Sequence, residues 1–410
     1  MKRLEFWFDF SCPYAYLGST QVEALAARAG ARLELRPMLL GGVFRARSVP
    51  QKLFSAISTN KARHNAADLV RYAQRWRVPY AMPAGHPFRT VTALRALLVV
   101  GADNLALIHR FFSAYWVEGR DLSERSVVAS VLSELGHDAE QVLAAAEREE
   151  IKEELRRRTD EAIDLGIFGA PAFIPREGVH PAELYWGQDR LEEVERALTG
   201  ARPQKARAAP PARPLRLYFD YACPYAALVI DRAIEACGAA LSFEPVLNAE
   251  ILRADYPPEG LLPATSEAKT SYLARDLARR AEEARVTLGE ASGDTRLALA
   301  ATRLALAGGA DGALVSALFA ARFARAVDLS DPAALRAELE RLGLDGARLV
   351  EEAGTASAGQ ALERATHAAR ERGVFGVPSF TLDGEEDGGL YFGSDRIELA
   401  LEAAARALPG

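Results

Sequence analysis

Apolar and polar positions alternate over Leu4–Phe8, the period of a half-buried strand. The period then changes: Tyr16, Leu17, Val22, Leu25 and Ala26 recur at helical spacing. The chain therefore passes from strand to helix at Ser11-Cys12-Pro13. Proline suits the first helical position, where an N–H would have no helical partner. Cys12 is thus expected at the helix start, where free N–H groups and the helix dipole favour a thiolate.

The same pattern occurs a second time. Phe8-Asp9-Phe10-Ser11-Cys12-Pro13-Tyr14-Ala15 is answered by Phe219-Asp220-Tyr221-Ala222-Cys223-Pro224-Tyr225-Ala226. A second strand closed by proline follows in each copy, over Leu33–Leu40 and Leu241–Asn248. Lys61 precedes Asp68 by the same interval that separates Lys269 from Asp276. Leu69, Tyr72, Ala73 and Trp76 form one apolar helical face, the start of a long alanine-rich helical region. Trp116–Ser123 then aligns with Phe323–Ser330, with Ser123 and Ser330 read as helix caps. The last shared blocks are Gly166–Phe173 with Gly373–Phe380, and Tyr185–Arg190 with Tyr391–Arg396.

A repeat of this length is a tandem domain duplication rather than a solenoid. The expected division is 1–199, a linker over 200–213 rich in Pro, Ala and basic residues, and 214–410. Each half reads as strand, Cys-Pro helix, strand, a block of helices, two short strands and a final helix. This is an α/β domain with an all-helical insertion.

Composition narrows the function. The chain has 410 residues, 49% hydrophobic and 26% charged, as in ordinary globular proteins. A net charge of −6 gives no reason to expect nucleic acid or an anionic membrane as partner. No apolar run is long enough to span a bilayer, and the first residues do not read as a signal peptide. Three cysteines, Cys12, Cys223 and Cys237, make no disulfide framework, so a reducing cytoplasm is the expected setting. Cys237 is read as a buried thiol late on the helix that begins at Cys223. The six histidines are scattered without ligand spacing, so no metal is expected, and no phosphate-binding glycine loop is present.

Taken together, Asp9–Leu17, the Gly-Ile-Phe-Gly-Ala-Pro block at 166–171 and Trp186-Gly187-Gln188-Asp189-Arg190 resemble the thioredoxin-like family of the DsbA type. Within it they look most like 2-hydroxychromene-2-carboxylate isomerases and kappa-class glutathione transferases. The resemblance covers nearly all of 1–199 and, more weakly, 214–408. It implies two tandem thioredoxin-like domains, with Pro171 and Pro378 as cis prolines beside the active site. It also implies glutathione as cofactor. The backbone of Ala170 and Val377 would pair with its cysteinyl part. Gln188-Asp189 and Ser394-Asp395 would hold its γ-glutamyl end, and Lys61 would face a carboxylate.

Two departures bear on the chemistry. Isomerases and kappa transferases usually carry serine where Cys12 and Cys223 stand. DsbA-type oxidoreductases carry a second cysteine where Ala15 and Ala226 stand, so neither corner can close an internal disulfide. The asparagine often found in the family has no counterpart near Ser48–Pro50. In the second copy Ala227-Leu228 replaces Tyr-Leu and Asn248 replaces Leu40, which reads as a partner domain with reduced activity.

The leading expectation is a glutathione-dependent isomerase or transferase. Its catalytic residues would be Cys12 and Cys223, and its substrate an aromatic or conjugated small molecule. Tyr14, Tyr72, Trp76, Phe88 and Trp116 are candidates to line the cleft. The alternatives are a monothiol thiol–disulfide oxidoreductase acting on a disulfide-containing protein, and a non-catalytic thioredoxin-like binding protein. The two domains are expected to form an internal pseudo-dimer.

Overall fold

The computed structural model describes residues 1–50, 57–180, 182–201, 210–255, 266–385 and 388–406. Most of the expected linker, 202–209, lies outside the described residues.

The first copy builds a four-stranded sheet from β1 (Arg3–Phe8), β2 (Arg32–Pro37), β3 (Ala172–Arg176) and β4 (Tyr185–Trp186), in the order β2-β1-β3-β4. β1 and β2 run parallel and are joined by the helix Pro13–Ala29; β3 and β4 pair antiparallel. The second copy repeats this arrangement with β5 (Leu215–Phe219), β6 (Leu241–Pro245), β7 (Ser379–Leu382) and β8 (Leu390–Phe392), in the order β6-β5-β7-β8. In both, the helical block falls between the second and third strands, so each copy is a thioredoxin-like α/β domain with an all-helical insertion.

Alternation in β1 places Phe6 and Phe8 on one face. Phe6 stacks on Phe173 at 5.3 Å, and Phe8 meets Phe112 of the insertion at 5.8 Å. Phe10 continues the cluster against Phe111 and Phe112 at 5.1 Å each. The sheet and the insertion therefore share one aromatic core beside the Cys-Pro corner. Leu69, Tyr72 and Ala73 are buried, as the helical period over Thr59–Trp76 requires, while Trp76 is half-buried.

Two local expectations are corrected. Ser123 and Ser330 do not cap the following helices. Their N–H and hydroxyl groups donate to Asp121 and Asp328, and the capping positions fall to Glu124 and Asp331. Cys237 is buried, but not on the helix that starts at Cys223. The second copy breaks that helix into Pro224–Ala227 and Ile230–Cys237, where the first copy has one continuous helix.

The contacts divide the chain into two compact units. One comprises Met1–Ala56, Asp68–Lys205 and Ala264–Tyr272; the other comprises Ile57–Ala67, Ala206–Pro263 and Leu273–Gly410. The first turns of the helix Glu267–Ala284 thus belong with the first copy's sheet, and those of Thr59–Trp76 with the second's.

Candidate active site

Cys12 caps the helix Pro13–Ala29 with extended backbone, φ −99° and ψ 114°, and Pro13 takes the first helical position. Its Sγ donates to the carbonyl of Ala170 at 3.0 Å. The Ala170–Pro171 and Val377–Pro378 bonds are both cis. Pro171 passes the connection on, because its carbonyl accepts from Gly187 N–H at 3.0 Å. Thiol, cis proline and the Gly187-Gln188-Asp189 turn are thereby tied into one constellation. The second copy repeats it, with Cys223 Sγ to Val377 O at 3.2 Å and Gly393 N–H to Pro378 O at 2.9 Å.

The thiols do not behave as the helix start alone would suggest. Burial pushes Cys12 up to about 12; the N–H groups of Tyr14 and Ala15 pull the other way, and the nearby Asp9 adds to the rise. Cys223 is likewise pushed up to about 12 by burial, against Ala226 and Tyr225. Desolvation outweighs the helix N-terminus here. Both groups stand as protonated donors rather than thiolates at neutral pH.

The aspartate of the repeated motif holds the corner. Asp9 is buried and accepts from Ser11 N–H and Oγ, Thr90 Oγ1 and Leu40 N–H at 2.6–3.0 Å. Three segments distant in sequence, at 9–11, Leu40 and Thr90, meet at this one carboxyl. Asp220 does the same work with Ala222 N–H, Thr295 Oγ1 and Asn248 N–H at 2.7–2.9 Å. Burial raises the pKa of both, and these bonds oppose the rise. Thr90 and Thr295 escaped the sequence reading. Their signal was present, since each is a threonine just ahead of an apolar helix at matching places in the two copies.

The Gly-x-Asp turns are made by the glycines. Gly187 has φ 107° and Gly393 φ 105°, and a Cβ on either would stand 2.4 or 2.6 Å from the Oδ1 of Asp189 or Asp395. Asp189 pairs with Arg190 at 3.2 Å, and Asp395 with Arg396 at 3.1 Å and Arg280 at 3.5 Å. Gln188 and Ser394 are more than nine-tenths buried, yet Gln188 Nε2 and Ser394 Oγ have no hydrogen-bond partner.

The remaining sequence candidates are placed as follows. Lys61 lies in the compact unit that contains the second copy's sheet, where burial lowers its pKa. Lys269 Nζ stands 5.3 Å from the Trp186 ring centroid, next to the first copy's turn. Tyr72 and Trp116 are packing residues: Tyr72 lies against Trp76 at 5.2 Å, and fully buried Trp116 donates its indole N–H to Phe10 O at 2.8 Å. Tyr14 and Phe88 are half-buried.

Around the first corner, Tyr80 stacks on Trp116 at 6.0 Å, and His86 Nδ1 meets Tyr115 Oη at 2.9 Å. Tyr115 Oη also accepts from Phe88 N–H at 2.8 Å. Burial lowers His86 to about 4, so it is neutral at physiological pH. His86–Pro87 is a third cis bond, which the sequence reading did not anticipate.

The DSBA-like thioredoxin domain model matches the chain twice, over residues 3–199 and 215–405. The chain belongs to the DSBA-like thioredoxin family. Among curated relatives, a 2-hydroxychromene-2-carboxylate isomerase of Sphingobium xenophagum is 25% identical over 203 residues, covering 47% of this chain and 96% of that protein. Glutathione S-transferase kappa 2 of Caenorhabditis elegans is 29% identical over 208 residues, covering 47% of this chain and 90% of its own. Among solved structures, the cytosolic disulfide reductase DsbM of Pseudomonas aeruginosa with GSH is 18% identical, with a TM-score of 0.35. It covers 47% of this chain and 95% of that one. Each of these relatives spans about one copy of this family's duplicated domain as it occurs here. Among the described residues, no helix is long and apolar enough to cross a membrane, and no group of three His, Cys, Asp or Glu side chains could hold a metal ion.

Proposed function

We propose that this chain is a glutathione-dependent enzyme of isomerase or transferase type, working on an aromatic or conjugated small molecule in a reducing compartment such as the cytoplasm. The observation that carries this reading is the pair of buried polar atoms without partners, Gln188 Nε2 and Ser394 Oγ, each in a Gly-x-Asp turn bonded to a cis proline. An open buried donor costs on the order of 1–3 kcal/mol, which a polar ligand group would recover. The kappa glutathione transferase among the relatives supports the ligand class, and the isomerase supports the reaction type.

When bound, glutathione supplies a sulfur nucleophile. In this reading Gln188 and Asp189 hold its γ-glutamyl end, the backbone of Ala170 beside Pro171 meets its cysteinyl part, and Val377, Pro378, Ser394 and Asp395 are the second-copy counterparts. Lys61 and Lys269 are the cations for its carboxylates. Cys12 acts as a hydrogen-bond donor, turning its S–H from Ala170 O to the ligand sulfur. A thiol pushed up to about 12 suits a donor better than an attacking thiolate. The Tyr115–His86 pair accompanies only the first corner, whereas Arg322 stands at the Tyr115 position of the second, which supports the first copy as the active one.

A second reading, monothiol thiol–disulfide exchange, is favoured by the Tyr14 and Ala15 N–H groups that oppose the rise at Cys12. They would stabilise a Cys12 thiolate attacking a disulfide, forming a mixed disulfide and releasing the partner thiolate. Intact mass after incubation with oxidised glutathione, beside a titration with reduced glutathione, separates the two. Binding without an adduct supports the leading reading. An adduct on Cys12, reversed by excess thiol, supports exchange. Neither result leaves a thioredoxin-like binding protein.

A further inference from the structure

β4 and β8 are edge strands, and each runs directly into its Gly-x-Asp turn. In the unit containing the first sheet, Trp186 N–H donates to Tyr272 Oη at 3.0 Å, and that hydroxyl also reaches Trp186 O at 3.5 Å. In the other unit, Phe392 N–H donates to His64 Nε2 at 3.0 Å. Residues 64 and 272 are the same position of the repeat, each three residues after its lysine, and Trp186 and Phe392 also correspond. Both rings are buried. Tyr272 lies 5.4 Å from Phe168 and 6.3 Å from Trp186, and His64 lies 5.5 Å from Phe375 and 6.1 Å from Phe392. Two different ring chemistries thus make one bond to one backbone position, immediately before the residue whose φ sets the turn.

We infer that Tyr272 and His64 are positioning residues for the ligand turns Gly187–Asp189 and Gly393–Asp395, each supplied by the sequence of the opposite copy. The bond holds the last strand residue, which in turn sets where Gln188 or Ser394 points. First-copy binding therefore depends on a residue of the second repeat. The ligand rests on the glutathione reading, whereas the positioning does not.

The test uses the full chain at pH 8, where an imidazole is neutral. Tyr272→Phe keeps the ring and removes the hydroxyl. Amide hydrogen exchange at Trp186 and at 187–189 should quicken at least about tenfold, exchange at Phe392 should stay unchanged, and reduced glutathione should bind about five- to tenfold more weakly at the first copy. Tyr272→His should restore both, because His64 makes the equivalent bond. Unchanged exchange at 186–189 overturns the proposal. So does quickened exchange with unaltered binding, or a failure of histidine to rescue. If the wild type binds no glutathione, the functional reading falls, and exchange at 187–189 with its rescue by histidine still decides the positioning.

Discussion

The two Cys-Pro corners share a frame and differ in the wall beside it. In the first copy Tyr115 bonds Phe88 N–H and His86, and Trp116 bonds Phe10 O. At the corresponding places the second copy has Arg322 and Phe323. The Arg322 guanidinium donates to Ser292 O at 2.8 Å and Gly293 O at 3.1 Å, in a shorter loop with no His-Pro pair. Phe323 has no side-chain N–H to offer, and Tyr221 bonds Thr302 at 2.8 Å. Thiol and cis proline have equivalent partners in both copies, and so does the aspartate clamp apart from the Ser11 hydroxyl, which Ala222 lacks. A corner can therefore keep its backbone chemistry while one neutral aromatic neighbour, Tyr115, is exchanged for the cationic Arg322.

The largest expected effect tests the likeness. Asp9→Ala leaves the donors of Ser11, Leu40 and Thr90 without their acceptor, and Asp220→Ala does the same to Ala222, Asn248 and Thr295. Each should cost about 3 kcal/mol by denaturant unfolding. A cost below about 1 kcal/mol in one copy alone would break the equivalence of the frames.

Cys12→Ala and Cys223→Ala test the difference. The first should lower kcat/KM on a conjugated substrate about 100-fold and the second less than about twofold, with Cys12→Ser in between because a hydroxyl still donates. Equal losses would make the second wall irrelevant.

The thiols sharpen the comparison from the other side. With both pushed up to about 12, alkylation at pH 8 should be at least about tenfold slower than that of a free thiol, and equal at Cys12 and Cys223. Above about pH 8.5 the unfolded thiols ionise while the folded ones keep their protons, so the folded state binds more protons and stability falls as pH rises toward 12. Fast alkylation of Cys12 alone would move the case to thiol exchange.

The smallest effect belongs to the first wall. His86 folds with its pKa lowered to about 4, so between about 6.5 and 4 the unfolded chain binds the extra proton and stability falls as pH drops. His86→Gln should remove that part of the slope in unfolding midpoints measured across pH. A slope that survives the substitution would place the titration elsewhere.

Much of this was legible in the chain because it is local. Alternation in β1, the helical period after Pro13 and the position of proline at the helix start depend on neighbours within a few residues, and the duplication displays each twice. Gly187 and Gly393 stand at matching places in the repeated block, and the positive φ each adopts is open to glycine for local reasons alone. What tertiary structure decided is what depends on desolvation and on distant partners. The helix start favours a thiolate at Cys12, but burial under residues far along the chain overrides it. The motif shows an aspartate at position 9, and only folding brings Thr90 and Leu40 to it. Serines at 123 and 330 look like caps until the aspartates two residues earlier claim them. Lys61 reads as part of the first site, yet the fold places it with the second sheet and brings Lys269 and Tyr272 to the first. Periodicity records which face of an element is buried; against what, and at what electrostatic cost, is settled by packing between elements that sequence spacing does not encode.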